Sequence, residues 1–247
     1  MSRFPPGAAL VLGGTGGVGR AVAERLAAEG VNVAVGYRSK PAEAEALAAQ
    51  LSNGAIAVHA DVTDPTSLKA ALEALPSLHT LVFAAGPTVV QRYLSQTDDA
   101  LMRQAFEIET FGFQNAVRAA LPLLRSNRGS IVHIGSAGGL SWAVRDGLSI
   151  VPKAANEALV KGLAREEGRF GVRANSVAIG VVDGGMFREL RAMGELDDRW
   201  VAATLERQSL KHFGTPADVA AAVAFLASGD AAYVTGQTLA VAGGYGS

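Results

Sequence analysis

The sequence predicts an α/β fold in which a seven-stranded parallel sheet is flanked by helices, wound in both directions from its middle. Three observations point there. Short runs of Val, Ile and Leu alternate with longer segments of helical period; the short runs are almost wholly apolar, as strands covered on both faces must be; and a glycine turn closes the first run and opens the first long helical segment.

The strands predicted are Ala8–Leu12, Val31–Val35, Ala55–His59, Thr80–Ala84, Ser130–Ile134, Arg173–Ala178 and Thr238–Val241. The clearest helix is Val18–Glu29, with Val18, Ala21, Val22, Arg25 and Leu26 at helical spacing. Asp64-Pro65 and Thr215-Pro216 each set a capping side chain before a proline suited to a first helical turn. Thr97 is expected to begin a long helix running toward Arg125. The segment Asp183–Leu210 breaks the alternation: it opens on Gly184-Gly185, is rich in charge, and is expected to form a mobile helical lid that sets substrate choice. No linker or internal repeat interrupts residues 1–247, so one domain is expected.

Composition narrows the function. The 247 residues are 49% hydrophobic and carry 22 basic against 23 acidic side chains, which gives no reason to expect a nucleic-acid or membrane partner. There is no cysteine, and His59, His79, His133 and His212 have no metal-ligand spacing, so thiol chemistry and a metal are not expected. Residues Met1–Leu12 make a poor signal peptide and no apolar run is long enough to span a bilayer, which predicts a cytoplasmic protein.

The run Leu12-Gly13-Gly14-Thr15-Gly16-Gly17-Val18-Gly19 holds the frame G-x-x-x-G-x-G at Gly13, Gly17 and Gly19. Between a strand and a helix N-terminus, such a turn lets backbone N–H groups approach a pyrophosphate, the mark of a Rossmann-type domain; the plainer alternative is a tight turn only. The second strand ends in Gly36-Tyr37-Arg38-Ser39, with no acidic residue to hold a ribose 2′-hydroxyl. Arg38 offers a guanidinium fork and Ser39 a hydroxyl to a 2′-phosphate, which favours NADP(H); a solvated arginine is the alternative. Asp61 and Val62, after the third strand, are placed to give an adenine a carboxylate acceptor and an apolar contact.

With these pieces the chain resembles the short-chain dehydrogenase/reductase family, most like its ketoacyl-reductase branch, over nearly its full length. The resemblance rests on the glycine frame, Asp61-Val62, Ala84-Ala85-Gly86, Ile134-Gly135-Ser136, Lys153, Asn175, Val234-Thr235-Gly236-Gln237 and Gly243-Gly244. It implies a cofactor site that adds Ala84, Ala85, Gly86, Lys153, Gly180 and Val182 to the residues above, and a homotetramer or dimer packed through the alanine-rich faces of Thr97–Arg125 and Lys153–Arg169.

In that family a serine, a tyrosine and a lysine act with a helix asparagine: the phenol gives a proton as hydride arrives at the substrate carbonyl. By position the serine is Ser136 and the lysine is Lys153, whereas the tyrosine position is Ser149 in Ser149-Ile150-Val151-Pro152-Lys153 and the asparagine position is Glu109. A serine hydroxyl is far less acidic than a phenol and reaches less far. Other departures lie on the same side: Phe83-Ala84 precedes Ala85-Gly86, Ile179-Gly180 replaces a Pro-Gly, and Gly184 stands for a threonine.

Glu109 is expected either to pair with Lys153 as a buried, inert ion pair or to supply a proton. A Ser149–Lys153 nucleophile and a swing-in phenol from Tyr93 are lesser alternatives, Trp142 and Arg145 are expected at the substrate mouth, and His133 is expected in the core. Two functions are consistent with these residues: an atypical NADP(H)-dependent oxidoreductase reducing a carbonyl, imine or activated double bond of a small molecule, or an inactive NADP(H)-binding relative that senses the nucleotide or joins an oligomer.

Overall fold

The computed structural model describes residues 3–246; Met1, Ser2 and Ser247 of the expected domain lie outside the described residues. Seven strands form one sheet: β1 (Ala8–Leu12), β2 (Asn32–Tyr37), β3 (Ile56–His59), β4 (Leu78–Phe83), β5 (Ser130–Ser136), β6 (Arg173–Ile179) and β7 (Thr238–Val241). All pairings are parallel, in the order β3-β2-β1-β4-β5-β6-β7. The winding reverses between β1 and β4, so the turns after these two strands part and open a crevice at the carboxyl edge.

Helices cover both faces because the inner strands are apolar on both, while the edge strands β3 and β7 stay partly exposed. Ala9 and Val11 of β1 pack with α1 (Gly17–Ala28), α2 (Pro41–Gln50) and α9 (Pro216–Ala227). Ala8, Leu10 and Leu12 point the other way, toward α3 (Pro65–Glu73), α5 (Gly112–Asn127) and α6 (Gly147–Glu167). Asp64 and Thr215 cap their helices as expected; Thr215 and Asp218 form a reciprocal capping box.

Three expected elements differ most. β2 and β4 are shifted by a few residues from Val31–Val35 and Thr80–Ala84, because both neighbouring segments are apolar and only the ladder to β1 fixes the ends. The helix expected from Thr97 begins at α4 (Asp99–Phe106), since the Asp98 side chain accepts from Ala100 N–H and Thr97 instead donates to the Tyr93 carbonyl. It then widens into a π turn at Glu107–Phe111 before α5. A π turn inserts a residue and rotates the next stretch of helix, and such bulges concentrate at functional sites.

The sheet contains buried polar groups. His133 of β5 is fully buried beside Phe83 and Phe113, and burial, with the Lys153 charge nearby, lowers its pKa to about 3. The amide nitrogen of Asn156 lies 3.0 Å from the Glu109 carbonyl and 3.1 Å from His133 Nε2, while His133 Nδ1 lies 3.0 Å from Ser176 Oγ. An amide facing a carbonyl must donate, so Nε2 accepts and Nδ1–H donates to Ser176. His79 occupies the irregularity between β1 and β4, and burial lowers its pKa to about 4.

His79 makes stability depend on pH with a fixed sign. The unfolded chain binds this proton near pH 6.5 and the fold does not until about 4, so its contribution is complete above 6.5 and declines as pH falls. Denaturant titrations should show the stability difference between wild type and His79→Asn changing between pH 7.5 and pH 5 by roughly 2 kcal/mol against the wild type. An unchanged difference refutes a neutral buried imidazole.

Candidate functional site

The carboxyl edge bears one deep cavity of about 590 Å³. At one end is the glycine turn. Gly13 takes φ +77° and its Cα lies so near β4 that a Cβ would fall 2.6 Å from the Ala84 carbonyl oxygen. This bends the chain so that Gly16 becomes the N-cap of α1 without a side-chain cap, leaving first-turn N–H groups facing the cavity. Gly16, Gly17, Val18 and Gly19 line it, as do Ala84, Ala85 and Gly86 from the turn after β4. A helix N-terminus with free N–H groups and no side chain in the way fits a pyrophosphate.

Of the remaining expected cofactor residues, Gly180 and Val182, after β6, line the cavity from the opposite side, whereas Thr15, within the turn, and Tyr37, Arg38, Ser39, Asp61 and Val62 lie outside its wall. Tyr37 ends β2 with its ring 5.6 Å from that of His59, and Arg38 and Ser39 come next, both exposed. Burial raises the Asp61 carboxyl, but the Thr63 N–H and hydroxyl, with help from the Arg38 charge, hold it below the usual range. Val62 departs from expectation: its side chain is buried against Gly112 of α5, so backbone rather than an apolar side chain meets the surface there. Val62 keeps to the alternation that sends apolar groups inward.

At the other end Ser136, Ser149, Lys153 and Glu109 come together on the cavity wall. Ser136 ends β5 and its Oγ accepts from Gly138 N–H at 3.1 Å, which leaves the hydroxyl proton available. Ser149 and Lys153 lie one turn apart on α6. The π turn swings Glu109 inward, where it is 2% exposed and accepts a hydrogen bond from Lys153 Nζ. Burial raises the Glu109 pKa and Lys153 only partly opposes this. Glu109 Oε2 has no hydrogen-bond partner among the described residues. Gly86 makes room for this carboxylate, since a Cβ there would overlap Oε1.

The loop before α6 meets one expectation and departs from another. Arg145 takes φ +74° and Ala143–Asp146 line the cavity, Arg145 included, whereas Trp142, 45% exposed, lies outside the wall with its ring near Gly147. Tyr93 is 52% exposed and outside the cavity wall. Sequence reading missed Gln91, Asp146 and Tyr245: Asp146 Oδ1 accepts from the buried Gln91 amide at 3.0 Å, and the Tyr245 hydroxyl donates to the Ser141 carbonyl at 2.6 Å. Tyr245 comes from beyond β7, and only the fold brings it here.

The lid segment holds α7 (Gly185–Ala192) and α8 (Asp198–Glu206). It contributes Met186, Phe187, Leu190, Leu196 and Trp200 to the cavity. Thr88 donates to Glu189 at 3.0 Å, and Arg92 reaches Glu195 at 3.3 Å. At its start a Cβ on Gly17 would fall 2.7 Å from Gly185 N, so lid backbone touches the first turn of α1. No group of His, Asp or Glu among the described residues could hold a metal. No helix among them is long and apolar enough to cross a membrane.

Comparison with known proteins gives the same picture. Residues 13–246 match the family model described as Enoyl-(Acyl carrier protein) reductase. The 3-oxoacyl-[acyl-carrier-protein] reductase MabA of Mycobacterium tuberculosis is 34% identical over 242 residues, covering 96% of this chain and 92% of that protein. A short chain dehydrogenase from Burkholderia cenocepacia, solved in complex with NADP, superposes with a TM-score of 0.88 at 29% identity, over 99% of this chain and all of its own. A blue fluorescent protein from a metagenomic library, solved in complex with NADPH, gives a TM-score of 0.88 at 31% identity over 99% of this chain and all of its own.

The Glu109–Lys153 pair should couple energetically. Lys153→Met leaves a buried carboxylate unpaired and should cost about 3 kcal/mol, most of it recovered by adding Glu109→Gln. Denaturant midpoints of the two single variants and the double variant measure this; simple additivity refutes it.

Proposed function

The chain belongs to the short-chain dehydrogenase/reductase family, and we propose that it works as an atypical NADP(H)-dependent oxidoreductase that reduces a carbonyl, imine or activated double bond of a small molecule. The observation that carries this reading is the continuity of one cavity from the uncapped N-terminus of α1 to Ser136, Ser149 and Lys153. The relatives solved with NADP and NADPH support the choice of cofactor, and Arg38 and Ser39, with no acid at the end of β2, support it independently.

Gly17 and Val18, at the open first turn of α1, would hold the pyrophosphate by backbone N–H, Arg38 and Ser39 the 2′-phosphate, and Lys153 the nicotinamide ribose. Bound there, the nicotinamide supplies a hydride equivalent. Ser136 orients the polarised heteroatom by donating its hydroxyl proton in a hydrogen bond. Ser149 gives space in place of a phenol, so a bulkier substrate group fits beside Lys153. Glu109 acts through Lys153: its carboxyl is tied to the ammonium, so it fixes the position and charge of that group. The lid from Asp183 to Leu210 closes the apolar end and selects the substrate, all within a single domain. Assembly as a homotetramer or dimer is supported by the exposed Leu101 and Phe111 on the outer side of α4 and the π turn.

Arg38→Ala should weaken NADPH binding by about tenfold or more and leave NADH binding nearly unchanged, read by nucleotide fluorescence titration. Equal loss for both nucleotides sinks the assignment. The reductase reading itself is tested by NADPH consumption against ketones, enones and imines, repeated with Ser149→Tyr. Turnover that this substitution leaves alone or damages supports an adapted enzyme. Tight binding without turnover, restored by the tyrosine, supports the inactive binding protein instead.

A further inference from the structure

Reduction of a carbonyl needs a proton as well as an electron pair, and no phenol stands at Ser149 to give it. The acidic groups on the cavity wall are Glu109, Asp146, Glu189, Glu195 and the Tyr245 phenol. Four of them are engaged or badly placed. Glu109 is clamped to Lys153, the Tyr245 proton is given to Ser141, Glu189 is exposed on the lid and bonded to Thr88, and Glu195 faces the guanidiniums of Arg92 and Arg145.

Asp146 differs from all of these. It is the N-cap residue of α6, and its spacing of three from Ser149 and seven from Lys153 puts the three on one face of the helix. It makes no ion pair among the described residues, and its carboxyl is held on one oxygen by the neutral amide of Gln91, itself 7% exposed. We propose that Asp146 is the proton donor of this site and Gln91 its positioning residue. This rests on the reductase reading above.

The step balances. As the carbonyl carbon gains the hydride equivalent with its electron pair, the C=O π bond breaks and the oxygen takes the Asp146 proton, leaving a carboxylate that is reprotonated from water at the cavity mouth. The carbonyl is reduced and the dihydronicotinamide oxidised. Burial supports this role by raising the Asp146 pKa, against the Gln91 hydrogen bond and the Lys153 charge. The charged groups around it are Arg92 on the segment after β4, Arg145 beside it, Lys153 on α6, Glu109 behind Lys153, and Glu195 on the lid. The two guanidiniums face Glu195, and Lys153 is offset by Glu109.

Asp146→Asn should lower ketone turnover by about 100-fold or more, keep NADPH affinity, and spare a pre-protonated cyclic imine, which needs no acid. In the wild type, ketone turnover should fall as pH rises through the carboxyl's folded pKa; the variant should lack that limb. Gln91→Met removes a donor to the carboxylate and should move the limb to higher pH at nearly constant KM. Independently of turnover, isotope-edited infrared spectra of aspartate-labelled protein, followed through a pH titration, should show one protonated carboxyl band that persists to higher pH than those of the exposed aspartates and that Asp146→Asn abolishes, and this holds the proposal to account if the variant folds poorly. Full ketone turnover in Asp146→Asn, or no such band in the wild type, overturns the donor role. Wild-type protein that binds NADPH yet reduces no substrate overturns the reductase reading, and the donor role falls with it.

Discussion

A chain of hydrogen bonds through the middle of the sheet sets where the reactive groups can stand. It runs from Ser176 on β6 to His133 on β5, to Asn156 on α6, and to the carbonyl of Glu109 in the π turn. Each link is buried, so each donor must meet an acceptor or cost a desolvation penalty of about 1–3 kcal/mol. A protonated His133 would break the order, because Nε2 would then offer a proton to an amide that also donates. Burial and the nearby Lys153 charge exclude that state. Two strands, a helix and a turn are thereby held in one register, and the Glu109 side chain has one direction to take.

That direction explains the reacting end of the cavity. A regular helix through residues 107–111 would carry Glu109 elsewhere on its surface, and the extra residue of the π turn brings it onto Lys153. The pairing consumes the charge of both groups inside a largely apolar cavity. In the mechanism proposed above, proton transfer and electrostatic positioning are divided between different residues, where a phenol beside a lysine would combine them.

How much of this could be read from the sequence depends on how local each feature is. The strands, the glycine turn and the end of β2 were legible, because apolar runs and Gly13, Gly17 and Gly19 act within a few residues. So was the pairing of Glu109 with Lys153, though only by position within a family pattern. The π turn was not, since Glu107–Phe111 has helical composition and its widening is set by contacts with α6. Val62 and Trp142 were misplaced for a related reason: which way a side chain turns at a loop depends on the tertiary neighbour, here Gly112 for Val62 and the left-handed Arg145 for the loop of Trp142. Gln91, Asp146 and Tyr245 carry no motif, and only the fold gathers them.

The room that Gly86 leaves for Glu109 also bears on how such a site can change over generations. A side chain at position 86 and a carboxylate at position 109 compete for one volume, so neither substitution is neutral with respect to the other. A lineage can shorten or redirect residue 109 first and afterwards admit a side chain at 86, whereas the opposite order passes through a steric conflict beside Lys153. The order in which substitutions can be accepted at this site is thus set by the distance between one missing methyl group and one oxygen.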